Sequence, residues 1–515
     1  MNTRKLITAL AAIGMMVQIA GVSPGLAQVP LEFEFTPTSG LAGTLIDFKG
    51  TGCPHDGRLG SDGVLVLTRD GSTGQSVNFV STDTGTFSGR YDTAGLEPGS
   101  YTTVMKCLST GVSGIGEQFV VTEPPPPPAP VGSTYFPIAP VRVLDTRDGT
   151  GTGRVEAIGP DGVLELKVID VAGVPLSGVT AVALNVTATN ATADSHLRVW
   201  PTGTDQPGVS NLNFSSGPSI PNLVIARVGT DGKVSFRNHA GTVDVVADVQ
   251  GWYSNTGTPG SRYVPVNPQR ILDTRDSTGV PAPAQVGPSS TIEVGVTGVA
   301  GVPTDATAVV LNMTVDRATA SESYLTVYPA GTTQPTASNL NFSAGPASTN
   351  LVIARVGAGG KVVVYNHLGA TDVIADVQGW FAAPAATTTG STYFPTNPAR
   401  ILDTRDGLGT PDGAVGQLGT GRTLELTVAG KGGVPSSGVT AVVLNVTVAN
   451  SPGPEESYLT LYPAGTTRPV ASNLNYSAEE TVPNLVIVRV NDGKVTIYNY
   501  SGQTDVIADV QGWFS

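Results

Sequence analysis

The 515-residue chain contains two cysteines, four histidines and five methionines, and only 13% of its residues are charged. Cys53 and Cys107 are too few for a thiolate metal cluster. The histidines, His55, His196, His239 and His367, lack the paired spacing of a zinc site, so no metal is expected. Basic residues are scarce as well: 28 Lys and Arg face 41 Asp and Glu, for a formal net charge of −13. That balance argues against binding nucleic-acid phosphates or an anionic membrane surface. No segment of helix length carries a 3.6-residue apolar period. The final stretch, Asp509 to Ser515, has neither an apolar tail nor basic stop-transfer residues, so no membrane span is expected after the leader. Catalytic fingerprints are missing too. There is no His-Glu-x-x-His, P-loop or dinucleotide motif, and the one Gly-x-Ser-x-Gly match, Gly21 to Gly25, falls in the leader. No enzyme activity, catalytic residue or cofactor is expected. A hydrolase working through paired carboxylates is the catalytic reading that motifs do not address.

What is present is turn-forming and strand-forming. There are 64 glycines and 39 prolines, yet 40% of the residues are hydrophobic. Short Val- and Thr-rich runs alternate with Gly, Asp and Ser turns, which predicts an all-β chain. Residues 1–27 read as a signal peptide: Arg4 and Lys5, an apolar run from Leu6 to about Ala20, and small residues at Gly25 and Ala27. The expected location is therefore extracellular, either released or held at the cell surface. In an oxidising compartment Cys53 and Cys107 pair, closing a loop worth roughly 4 kcal/mol in the chain-entropy model.

Residues 28–123 hold six or seven short strand runs and predict a β-sandwich. Residues 124–134 form a linker opening with five consecutive prolines, Pro124 to Pro128, a semi-rigid spacer. The remainder is a threefold repeat: 135–254, 263–382 and 393–515. Each copy opens on Tyr-Phe/Val-Pro, continues through Leu-Asp-Thr-Arg-Asp, and closes on Asp-Val-Gln-Gly-Trp-Phe/Tyr. Seven to nine strands per copy predict a β-sandwich or jelly roll. A copy of about 120 residues is long enough for its own core, so the array is expected to be four beads on short linkers.

The Leu-Asp-Thr-Arg-Asp motif places Asp145 and Arg147, Asp273 and Arg275, and Asp403 and Arg405 two positions apart. These charges are expected to be structural, with each arginine paired to the aspartate near the copy's end: Asp248, Asp376 or Asp509. A calcium loop is the sharper alternative. The run Tyr-Leu-Thr-Val-Tyr places Tyr324 and Tyr328 on one strand face, Tyr458 and Tyr462 in the third copy, and His196, Arg198 and Trp200 in the first. If Leu325 and Val327 are core, this face is a candidate ligand surface on which rings stack against sugars; rings covering a neighbouring strand are the structural alternative. The Ser-Asn-Leu-Asn motif is expected to make turn hydrogen bonds. Sequons at Asn185 and Asn445 lie in core strands and are not expected to carry glycans. His239 and His367 are equivalent, but the third copy has Tyr500, which does not suit a catalytic histidine.

The opening Phe35-Thr-Pro-Thr-Ser-Gly40, with Gly43 to Gly50, resembles bacterial immunoglobulin-like extracellular domains. The repeats resemble modules ending in Asp-Val-x-Gly-Trp-Phe/Tyr found in exported proteins of high-GC Gram-positive bacteria. The resemblance implies secretion and no defined activity. The functional expectation is a non-catalytic secreted protein, structural or adhesive. The second reading is binding of cell-wall or extracellular polysaccharide through the aromatic faces. A surface protein is the other partner considered.

Overall fold

In a computed structural model, the described residues are 30–55, 62–69, 72–123, 131–256, 259–386, 390–453 and 456–515. The residues read as a signal peptide, 1–27, and the five-proline run lie outside them. The fold is all-β: among the described residues the only helical elements are three short 3-10 turns. The chain divides into two compact units, Met1–Ala129 and Pro130–Ser515.

The first unit is a sandwich. Its three-stranded sheet contains Glu32–Thr36, Leu45–Thr51 and Phe87–Asp92. Its five-stranded sheet is centred on Gly99–Cys107 and Gly63–Arg69. Alternation buries Ile46 and Phe48 from one sheet against Leu65, Leu67 and Met105 from the other. Cys53 follows the last strand-three residue of the smaller sheet, and its disulfide to Cys107 ties the two sheets together.

In the second unit each copy has eight strands in two four-stranded sheets. In the second copy, one sheet runs Arg262–Asp273, Asp372–Ala382, Ala306–Asp316, Ser348–Arg355. The other runs Ser290–Gly295, Lys361–Asn366, Ser323–Pro329, Leu340–Phe342. The two sheets enclose that copy's own core, including Leu311, Leu325 and Val364.

The expected separate beads are not what forms. The first sheet of each copy is buried on both faces. Along Ala441–Ala449 every residue is buried. Val442 and Leu444 point into the third copy's core, whereas Ala441 and Val443 point into a further core built from all three copies. That shared core contains Tyr135, Tyr253, Tyr263, Phe381, Tyr393 and Phe514, together with Leu351, Ile353 and Leu485. The closing motif thus has a divided role. Trp380 and Trp513 fill their own copies, and the next residue, Phe381 or Phe514, fills the shared centre. A strand whose neighbours both want apolar partners cannot end on a solvated face.

The ring closes by main-chain pairing. Ser133 pairs with Tyr393, Tyr135 with Ser261, and Tyr263 with Ser391, so each copy's first residues bridge to another copy. Side chains repeat the cycle. Asn185 Nδ2 donates to the Ser338 carbonyl at 2.6 Å, and Asn445 Nδ2 to the Ser210 carbonyl at 2.9 Å. Asn312 donates likewise to Ser472. The carbonyl acceptors belong to the serine of each Ser-Asn-Leu-Asn motif. The following Asn reaches the neighbouring strand instead of closing a local turn, Asn339 Oδ1 accepting from Val327 N at 2.7 Å.

Candidate functional site

The Leu-Asp-Thr-Arg pairs are satisfied within each copy, with the aspartate buried. Arg147 donates to Asp145 from Nε and Nη2 at 2.9 and 2.8 Å, and the same fork joins Arg275 to Asp273 and Arg405 to Asp403. The partner of Asp248 is Arg142 rather than Arg147, with Nε at 2.8 Å; Asp376 takes Arg270 and Asp509 takes Arg400. Arg142 also reaches Asp145 at 3.0 Å, so each copy carries a four-membered Asp–Arg–Asp–Arg chain. The second arginine was readable: Arg142, Arg270 and Arg400 each stand three residues before the motif aspartate. Burial pushes the Asp145 carboxyl up, but hydrogen bonds and charge from Arg147 and Arg142 outweigh it and hold it below the usual range. At Asp248, burial prevails over Arg142 and the carboxyl is raised. Asp148, the motif's last residue, accepts from its own turn at Thr150 N, 2.8 Å. Among the described residues no group of three His, Cys, Asp or Glu side chains is placed to hold a metal ion.

The aromatic strand face divides in two. Leu325 and Val327 are core, as alternation requires. On the other face, Tyr328, Tyr462 and Trp200 are each only 7% exposed. Tyr328 is covered by Ala330, Val363 and Tyr365 of its own sheet, the cross-strand packing that is the alternative to a ligand surface. Tyr324 and Tyr458 are half-buried and stack on partners from the adjacent strand. Tyr324 lies on His367 with centroids 4.5 Å apart, and Tyr458 on Tyr500 at 4.7 Å. The first copy has His196 on His239 at 4.7 Å. Residues 239, 367 and 500 therefore serve as ring partners, a role that both His and Tyr fill.

The ring architecture turns these stacked pairs toward crevices between copies. The opening strand of each copy packs on the ring-bearing strand of another: Thr134–Asp145 on Ser323–Pro329, Arg262–Asp273 on Ser457–Pro463, and Tyr393–Asp403 on Ser195–Pro201. The crevice between the first and second copies, about 670 Å³, has Arg142 and Arg147 on one wall and Tyr324 and His367 on the other. That between the second and third, about 430 Å³, has Arg270 and Arg275 facing Tyr458 and Tyr500. Arg468 stands over the Tyr498 ring at 3.9 Å beside it. Volumes of this size accommodate small ligands or a short stretch of polymer. Sequence reasoning found the rings and, as structural charges, Arg147 and Arg275, but not that they face each other, because no single copy contains a complete crevice.

No protein-family model matches the chain, and no curated protein matches it. Among solved structures, it aligns with the Sulfolobus turreted icosahedral virus structure at 9% identity and a TM-score of 0.15, covering 74% of this chain and 90% of that one. It aligns with SGBP-B from a complex xyloglucan utilization locus in Bacteroides uniformis at 9% identity and a TM-score of 0.13, covering 68% and 98%. Salmonella alpha-2-macroglobulin aligns at 12% identity and 0.15, covering 94% and 39%. Likeness at this level carries no functional argument.

Proposed function

We propose that the protein is a non-catalytic extracellular adhesive protein whose three-copy unit is a rigid, trivalent head that contacts surface glycans through the crevices between copies. The observation that carries this reading is the closed ring, which sets two related crevices, each with a stacked ring pair facing arginines, and a third seam between the corresponding strands around one core. Fixed multivalency converts weak single contacts into firm retention on a repetitive surface. The repeated ionisable residues are consumed in ion-pair chains within the copies, which suits a scaffold role for them. The buried positions of Tyr328, Tyr462 and Trp200 concentrate the contact on Tyr324 and Tyr458. Export through the N-terminal segment would place this head outside the cell.

The test is retention of the full chain on purified cell wall and a panel of insoluble polysaccharides, beside a Tyr324→Ala/Tyr458→Ala variant of unchanged melting temperature. Retention by the wild type that drops at least tenfold in the variant is expected. Equal retention by both would remove the crevices from the binding surface. Absence of retention on every surface would sink the glycan reading and leave a structural role.

A further inference from the structure

The seam between the third and first copies, where Tyr393–Asp403 packs on Ser195–Pro201, differs from the other two in charge. Where the second and third copies carry Thr326 and Thr460, the first carries Arg198. Both threonines are buried and donate to a carbonyl of their own copy, Thr326 to Ala337 and Thr460 to Ala471. Arg198 cannot repeat that bond and reaches further. Its strand partner is Arg237, directly opposite in register. Like charges facing each other across a ladder oppose pairing unless an anion lies between them. The strand also packs against Tyr393–Asp403, which brings up Arg400 from the third copy.

The neighbouring cations have their own carboxylates. Arg237 bonds to Asp161, Arg400 to Asp509 and Asp403, and Arg405 to Asp403. Arg198 is the exception. Its Nε is buried without a hydrogen-bond partner, and among the described residues no carboxylate lies within ion-pair distance of its guanidinium. Burial first, then the charges of Arg237 and Arg400, lower its pKa. Two acids of these copies are held by backbone amides: Asp194 accepts from Ser216 N at 3.0 Å and Glu480 from Ser477 N at 2.8 Å. At the position where the second copy adds Asp316, the third copy has Ala449. The stacked His196 adds no charge near neutrality, because burial holds its pKa at about 4.

We infer that this seam holds an oxyanion site, with Arg198 as the group that receives the carboxylate of an acidic polysaccharide. The terminal nitrogens of this unpaired guanidinium can take a carboxylate, while Nε stays covered, and the partial burial of the side chain makes the pairing more than a screened surface contact. The stacked His196 and His239 rings flank the site and would lie beside the sugar bearing that carboxylate. The assignment rests on the crevices being the binding surfaces, and it makes the three unequal: one selects an acidic sugar, and the others take neutral rings.

The experiment compares the full-length protein with Arg198→Thr, which installs the residue the other copies already carry. The probes are polygalacturonate, neutral dextran and inorganic sulfate at low ionic strength. Expected is binding to polygalacturonate that weakens with added salt and falls at least tenfold in Arg198→Thr, with dextran binding and melting temperature not reduced. Equal polygalacturonate binding by both proteins would overturn the inference while leaving the adhesive reading intact. So would a wild type held on other surfaces but not by polygalacturonate. Arg198-dependent protection by sulfate without polygalacturonate binding would overturn the polysaccharide assignment in favour of a free inorganic anion. Absence of retention on any surface would instead count against the adhesive reading itself.

Discussion

Asn222 and Asn445, separated by 223 residues in sequence, meet at 2.8 Å, the Asn222 side-chain amide donating to the Asn445 carbonyl oxygen. Asn350 donates to Asn185 at 2.8 Å and Asn484 to Asn312 at 3.2 Å, so the cycle passes through all three copies. The oxygens of Asn222, Asn350 and Asn484 in turn accept backbone amides from another copy: Leu485, Leu223 and Leu351. All six asparagines are buried, and a buried amide stripped of its partner costs about 1–3 kcal/mol. A copy removed from the ring would expose these groups along with Tyr263, Val310, Leu351, Ile353 and Phe381. Residues 262–382 expressed alone are therefore expected to unfold or to assemble into trimers that rebuild the shared core. Sedimentation velocity with circular dichroism decides the matter; a folded, stable monomer would contradict the account.

Tyr253 occupies the place in the shared core that Phe381 and Phe514 hold in the other copies. Its ring packs on Tyr135 and Tyr393 with centroids 4.8 and 4.5 Å away. Its hydroxyl is buried without a hydrogen-bond partner. The opening tyrosines differ: Tyr135, Tyr263 and Tyr393 each donate at 3.0 Å to the glutamine carbonyl of the closing motif. Tyr253→Phe keeps the ring and removes the orphan hydroxyl, so it is expected to raise stability by about 1 kcal/mol. Tyr263→Phe, which strands a carbonyl, is expected to lower it. Denaturant unfolding of the two variants in parallel checks the opposite signs.

Much of this was legible in the sequence, and the illegible part has a specific cause. Seven to nine strands per copy were expected from the Val- and Thr-rich runs, and eight form. The opening segment Tyr393–Asp403 carries a weak strand signal, because Pro395 and Pro398 interrupt its alternation; the pairing skips from Pro395 to Ala399 at an irregularity there. The missed association of copies had a signal. The run Ala441-Val-Val-Leu444 has no polar face, and a strand of that kind is covered on both sides. Two covered faces need two partners, and one sandwich supplies only one. The crevices could not be read at all, because their walls come from segments over a hundred residues apart in different copies.

The invariant glycine of Asp-Val-Gln-Gly-Trp has a steric reason rather than a turn reason. A Cβ at Gly251, Gly379 or Gly512 would run into the ring and hydroxyl of Tyr135, Tyr263 or Tyr393. The preceding glutamine sits at a register irregularity in the ladder, where its carbonyl is free to accept the tyrosine hydroxyl. Because these tyrosines are fully buried in the centre, they have nowhere to move. Gly379→Ala is expected to cost about 2–3 kcal/mol, an overpacking penalty, and to lower the melting temperature of the whole three-copy unit. An unchanged melting curve would mean that the centre is looser than its packing indicates.

Among the described residues Arg270 is the only arginine that forks onto Asp376, a carboxylate with no solvent exposure. Replacing it with methionine removes the charge and keeps much of the volume. Burial already raises the Asp376 carboxyl against the pull of Arg270; without that pull the ionised form is left alone in the interior. Breaking such a pair costs about 3 kcal/mol near neutral pH. Below the usual carboxylate range the loss shrinks, because a protonated Asp376 tolerates burial. In linkage terms, the variant's Asp376 has a folded pKa above its unfolded one. Its contribution is then fully present at low pH and is lost as pH rises through the folded value. The motif aspartate Asp273 has the opposite sign in the wild type. Burial raises it, but Arg275 and Arg270 together lower it, so it supports the fold above the unfolded pKa and ceases to do so as pH falls through the lowered one. The gap in stability between wild type and Arg270→Met is therefore expected to be widest at pH 7 and to narrow toward pH 4. Urea unfolding at pH 4, 5.5 and 7 measures it, and a gap independent of pH would show that Arg270 acts through packing rather than through its charge.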